Sequence, residues 1–169
     1  MKKNAYLCAV NNKERIMAEY FNKLWHSPRR EEAKAPELDE KGRAKYTPDF
    51  ITKLADDEVF VFGSNLKGMH GGGAAATAYR CFGAVWGQGV GLQGQSYAIP
   101  TMHGGVDAIK PYVDDFINFA KSHPELRFLV TKIGCGIAGF REEEMAPLFA
   151  EAVDVDNIVL PRDFVDILK

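Results

Sequence analysis

Two glycine-rich stretches carry the residues best suited to chemistry. The first is Gly63-Ser64-Asn65-Leu66-Lys67-Gly68-Met69-His70-Gly71-Gly72-Gly73, which runs into an alanine-rich segment. The second is Gly134-Cys135-Gly136-Ile137-Ala138-Gly139-Phe140, which follows an apolar run ending at Ile133. Of the 16 glycines in the chain, 15 lie between Gly63 and Gly139. Glycine lowers stability through backbone entropy, so such crowding needs a reason. A glycine run that opens a helix leaves free N–H groups beside the positive end of the helix dipole, which is an anion-binding geometry. Glycines spaced across a turn after a strand suit a nest of amides around a phosphate. The first stretch is not a Walker loop, because no Gly-Lys-Ser/Thr follows, and it lacks the dinucleotide-binding G-x-G-x-x-G spacing after a first strand. For the first stretch alone, the competing reading is a tight strand-to-helix connection.

Single residues refine this. Asn65 can either stabilise a turn or orient a ligand. His70 sits inside the first loop and offers a general base or a phosphate donor; a solvent-facing loop histidine is the alternative. Cys135 lies where amide dipoles lower a thiol's pKa, yet no histidine is near in sequence, so it reads as a small residue that fits. Phe140 can cover a base or sugar, or belong to the core. A third segment, Gly87 to Ser96, is rich in Gly and Gln. Its amides, Gln93 among them, suit sugar hydroxyls and phosphates, and a surface flap is the alternative. Both loops lack carboxylates, which argues against two-carboxylate or two-metal hydrolysis. No metal spacing and no cofactor motif is present.

The elements that position these loops follow from patterning. Residues 58–62 (EVFVF), 96–100 (SYAIP), 127–133 (RFLVTKI) and 157–160 (NIVL) read as strands. Helices are expected from Thr47-Pro48-Asp49 to Leu54, over Ala74 to Phe82, from Pro111 to about Pro124, over Glu142 to Ala152, and over Asp163 to Leu168. Strands alternating with helices predict three α/β/α layers around a mixed, mainly parallel sheet. Ligands in such sheets sit at the carboxyl ends of the strands, so both glycine loops should face one pocket. Two regions are expected. Residues 1–46 hold a short strand at 6–10, an amphipathic helix with Ile16, Met17, Tyr20, Phe21, Leu24 and Trp25, and a charged linker from Ser27 to Tyr46. Residues 47–169 form the functional body.

The stretch VFVFGSNLKGMHGGGAAATAYRCFGAVWGQGVGLQGQSYAIPT at 59–101, together with FLVTKIGCGIAGF at 128–140, resembles phage and bacterial proteins related to macrodomains. The resemblance covers about 57–161. It implies a macrodomain-like fold and binding of ADP-ribose, with hydrolysis of its derivatives in some members. It places Asn65 against the distal ribose and Gly71, Gly72 and Gly73 on the ribose side. Gly63 and Ser64 precede that loop. Gly134, Cys135, Gly136, Ile137, Ala138, Gly139 and Phe140 fall on the diphosphate loop and its closing aromatic residue. The Gly/Gln segment and the first fifty residues have no macrodomain counterpart.

Composition bounds the alternatives. Hydrophobic residues make up 46% and charged residues 26%, ordinary values for a folded chain. A net charge of -2 and a pI of about 6.1 supply no basic field for a nucleic-acid partner. No apolar run approaches the ~20 residues that span a bilayer, and the start of the chain lacks a signal-peptide core. Three widely spaced cysteines suggest reduced thiols, and hence the cytoplasm. Three readings stay open: a hydrolase of ADP-ribose 1''-phosphate or ADP-ribosyl type using Asn65 and His70, a non-catalytic reader with the same pocket, and a protein-interaction module whose glycines only make turns.

Overall fold

The computed structural model describes residues 37–169. The strand and amphipathic helix expected before His26, and the linker up to residue 36, lie outside the described residues.

The elements run β1 (Glu58–Ser64), α1 (Gly73–Cys81), β2 (Gly91–Gln93), β3 (Ser96–Pro100), α2 (Val106–Ser122), β4 (Arg127–Val130), α3 (Glu142–Met145), a 3-10 helix (Ala146–Ala152), β5 (Ile158–Val159) and α4 (Arg162–Leu168). The result is an α/β fold on one mixed five-stranded sheet, in the order β2-β3-β1-β4-β5. β1 pairs in parallel with β3 and β4, and β4 with β5; β2 alone runs antiparallel, against β3.

Alternation along β1 separates two cores. Val59 and Val61 join Tyr97, Ile99, Phe128 and Val130 under α2, the 3-10 helix and α4. Phe60 and Phe62 join Ala98 under α1, where Ala75 and Ala78 let the helix approach closely. Burying each such phenylalanine stabilises by roughly 1.5–3 kcal/mol. The loop after β1 therefore leads to one face, while the loops after its neighbours β3 and β4 lead to the other. That divergence opens a crevice at the carboxyl ends of the strands.

Three local expectations differ from the structure. No helix forms at 47–54. Thr47 is taken by β5 instead: its N–H donates to Leu160 O at 2.9 Å and its Oγ1 to Val159 O at 2.7 Å. Pro111 lies inside α2, which begins at Val106 behind an extended Gly105. The helix expected over 142–152 splits into α3 and the 3-10 helix. Pro147 has no N–H to donate to Glu143 O, so the α-helical ladder stops there.

The charged stretch also behaves differently where it is described. Residues 37–47 lie along β4 and β5, held by Arg127, which is buried at 6% exposure. Its guanidinium bonds Ala44 O at 2.6 Å and Glu58 at 3.1 Å, with Asp39 at 3.6 Å. Arg43 pairs with Asp57 at 2.7 Å, and Arg162 lies over the Tyr46 ring at 4.4 Å. Residues 37–46, which the sequence reading places in a linker, thus belong to the same compact unit as the rest of the described chain. Among the described residues, no helix is long and apolar enough to cross a membrane.

Candidate ligand-binding cleft

The ends of β1, β3 and β4 line a cleft of about 180 Å³. Both glycine loops reach it. Gly63, Ser64, Asn65, Gly72 and Gly73 contribute from the first, and Gly134, Gly136, Ile137 and Ala138 from the second. The two meet directly, since a Cβ on Gly72 would stand 3.0 Å from Ile137 Cδ1.

The second loop earns its shape from one turn. Gly139 N–H donates to Gly136 O at 3.0 Å, and Phe140 N–H to Gly134 O at 3.0 Å. Gly134 and Gly139 have φ of 80° and 78°, a conformation that other residues rarely adopt. The amides of Gly136, Ile137 and Ala138 donate to no acceptor among the described residues. On the first loop, Gly72 caps α1 without a side-chain bond. The amides of Gly73, Ala74 and Ala75, in the first turn, therefore lack helical acceptors. Two sets of free donors thus border one cleft.

Asn65 lines the cleft but spends half of its carboxamide on its own loop. Its Nδ2 donates to Met69 O at 2.8 Å, and its Oδ1 accepts from Met69 N–H at 3.1 Å. One N–H and one lone pair remain for a ligand.

Six expected site residues stand elsewhere. His70 is neither a cleft base nor a solvent-facing loop residue. It is 1% exposed and packs edge-on against Phe62. Its Nε2 lies 3.0 Å from Val85 O and 3.1 Å from Gln88 O. Two carbonyls require a donor, so Nε2 carries the proton, and Nδ1 faces Ser64 Oγ at 3.5 Å. Gln93 is buried and serves the same segment, accepting from Val85 N–H at 2.6 Å and donating to Gln88 O at 3.0 Å. The Gly/Gln segment is therefore an internally bonded wall. Gln88 Nε2 even caps the β2 carbonyl of Leu92 at 3.2 Å. Cys135 turns toward the core, and burial, reinforced by the Glu142 carboxylate, pushes its thiol up to about 11. It is no thiolate nucleophile at neutral pH. Phe140 packs on the main core and closes nothing over the cleft. Gly71 and Gly139 are exposed and lie off the cleft.

Other lining residues escaped sequence reasoning. Thr101 and Thr131 follow β3 and β4, and with Ser64 they give each of three adjacent strands a hydroxyl at its end. Thr131 Oγ1 donates to Val61 O at 2.9 Å and Thr101 Oγ1 to Ser64 O at 3.3 Å, leaving their lone pairs to accept. The signal was present, since each is the first hydroxyl after a buried apolar run. Met69, Met102 and Ile137 form an exposed apolar rim, at 51%, 55% and 72% exposure. Among the described residues, Lys132 is the one charged residue of the lining. It pairs with Glu142 at 3.1 Å and with Asp163. Burial works against its ammonium, but the bonds to Asp163 and Glu142 outweigh it and raise the pKa above the ordinary lysine value. Among the described residues, no cluster of three or more His, Cys, Asp or Glu could hold a metal.

Fold and cleft together define an α/β protein with an amide-lined crevice at the carboxyl edge of its parallel strands. Comparison with protein-family models, with curated proteins and with solved structures finds no match for the chain.

Proposed function

We propose that the cleft binds ADP-ribose or a closely related phosphorylated nucleotide, on a macrodomain-like α/β/α scaffold, and holds it without turnover. One observation carries the binding half. The free amides of Gly136, Ile137 and Ala138 border the same cleft as the uncapped first turn of α1. Such donors suit phosphate oxygens. The strand-end hydroxyls and the remaining Asn65 positions suit ribose oxygens. The apolar rim offers contact area to the part of the ligand outside the phosphate nest.

The reading without turnover rests on the lining itself. His70 points away, Cys135 is held as a thiol, and among the described residues no carboxylate lines the cleft. General acid–base catalysis needs a group within hydrogen-bond reach of the moving proton. Lys132, held protonated by two carboxylates, makes a poor base. A hydrolase would have to work through Asn65, a bound water and the substrate's own phosphate.

Thermal unfolding with ADP-ribose, its 1''-phosphate, NAD and ADP tests this. A binder at 100 times its Kd stabilises by about 2.7 kcal/mol, a shift of several degrees in a domain of this size. ADP-ribose should give that shift and remain intact after hours of incubation. No shift with any of the four compounds would overturn the nucleotide reading; product release would restore the hydrolase.

A further inference from the structure

The charge balance beside the cleft narrows the class of phosphate it accepts. Lys132, the one charged residue in the lining, is engaged by two carboxylates. Glu142 is the first residue of α3, and Asp163 sits in the first turn of α4. The three groups together carry one net negative charge. All three are partly exposed, with side chains at 38%, 34% and 44%, so solvent screens them but does not cancel them. Among the described residues that line the cleft, the side chains thus present no surplus positive charge to a ligand. The donors that remain are the neutral amides of the second loop and of α1.

Neutral donors suit a phosphate that bears one charge. A terminal phosphomonoester carries close to two at neutral pH, because its second pKa is near ~6. Its second charge would add to the repulsion from the carboxylates that hold Lys132, and among the described residues that line the cleft no unpaired cation offsets it. We propose that Glu142 and Asp163, acting through Lys132, make the cleft selective for phosphodiesters and pyrophosphate diesters and set it against terminal phosphomonoesters. The proposal rests on the nucleotide reading above and deepens it.

Other groups near the cleft titrate or carry charge. Glu143 and Glu144 share α3 with Glu142 and act electrostatically on Cys135. His70 stands behind Ser64, and His103 follows Met102 in the loop after β3. A ratio of two ligands measured on the same protein removes the part of their influence that is common to both. ADP and its β-methyl ester differ only in the terminal substituent and its charge. Calorimetric titration of the full chain at low salt should give an ester bound about fivefold more tightly at pH 8, the scale of one screened charge interaction. At pH 5.5 the terminal phosphate of ADP holds mostly one charge, and the ratio should fall below about twofold. Glu142→Gln should narrow the pH 8 ratio to about twofold, because removing one repelling charge strengthens binding of ADP more than binding of the ester. Asp163→Asn serves the same purpose where Glu142→Gln does not fold. A ratio near one at both pH values, tighter binding of ADP than of the ester at pH 8, or a ratio untouched by both substitutions overturns the selectivity while the nucleotide reading stands. If ADP, its ester and ADP-ribose all fail to bind, the nucleotide reading falls and takes the selectivity with it.

Discussion

The segment from Gly83 to Gly94 and the loop from Gly134 to Gly139 are both rich in glycine, yet they use it differently. In the first, backbone is pressed on backbone. A Cβ on Gly89 would stand 2.0 Å from Asn65 O, and one on Gly94 would stand 2.9 Å from Gly83 Cα. Gly87 N–H donates to Gly68 O at 2.9 Å, and a Cβ on Gly68 would collide with Gln88 N at 2.3 Å. His70 and Gln93 complete this lock from the side. In the second loop, a Cβ on Gly136 or Gly139 would meet nothing within 4 Å. Glycine there leaves space in front of undonated amides. The first region uses Gly83, Gly89 and Gly94 for packing; the second packs Gly134, where a Cβ would stand 2.9 Å from Met145 Sδ, and keeps its backbone open at Gly136 and Gly139.

The largest effect that tests this contrast comes from the packed segment. Gly89→Ala places a methyl group into a backbone oxygen that cannot swing aside. It should cost about 3 kcal/mol or more, at the upper end of overpacking. Gly71→Ala is the control, because Gly71 has no positive φ and open space around its Cβ. It should change stability by less than about 0.5 kcal/mol. Denaturant titration of both proteins decides. If Gly89→Ala is as stable as Gly71→Ala, the interlock of the two segments is not what holds them.

His70→Ala comes next. It removes the donor shared by Val85 O and Gln88 O and opens a cavity beside Phe62. Leaving buried acceptors unmatched costs about 1–3 kcal/mol, and lost packing adds to that. Affinity for ADP-ribose, measured on the folded fraction, should stay within about threefold, or roughly 0.6 kcal/mol. A His70→Ala protein of unchanged stability that no longer binds ADP-ribose would place His70 in the binding site after all.

Much of this contrast was hidden in the sequence for physical reasons. β1 was legible because an apolar β-branched and aromatic run ends in Gly63-Ser64. The meeting of the two loops was legible because parallel strands deliver their following loops to one edge. Residue type alone does not say where a side chain points. His70, Gln93 and Cys135 have the functional groups of a site, and burial turns all three to structural use. Thr47-Pro48-Asp49 carries a local helix-start signal, yet β5, more than a hundred residues away, takes up Thr47 through Val159 O and Leu160 O. Lys132 reads as a strand residue in RFLVTKI. Its pairing with Glu142 and Asp163 exists only once α3 and α4 have packed.

The smallest expected effect on stability is also the sharpest test of the open loop. Gly136 has no positive φ, so a side chain there meets no backbone strain. Its Cβ would point into open space, yet the residue lines the cleft. Gly136→Val should therefore alter unfolding free energy by no more than about 0.5 kcal/mol. The β-branched side chain would stand at the amides of Gly136 and Ile137, where a phosphate must approach the backbone. Loss of that approach should lower ADP-ribose affinity by at least a hundredfold, about 2.7 kcal/mol. Gly139→Ala, on the same turn but off the cleft, should do the reverse. Its φ of 78° makes alanine strained, at about 1 kcal/mol. A folded Gly139→Ala protein should still bind. If Gly136→Val binds ADP-ribose as the parent does, the amides of the second loop are not the phosphate site, and the openness of this loop has some other cause.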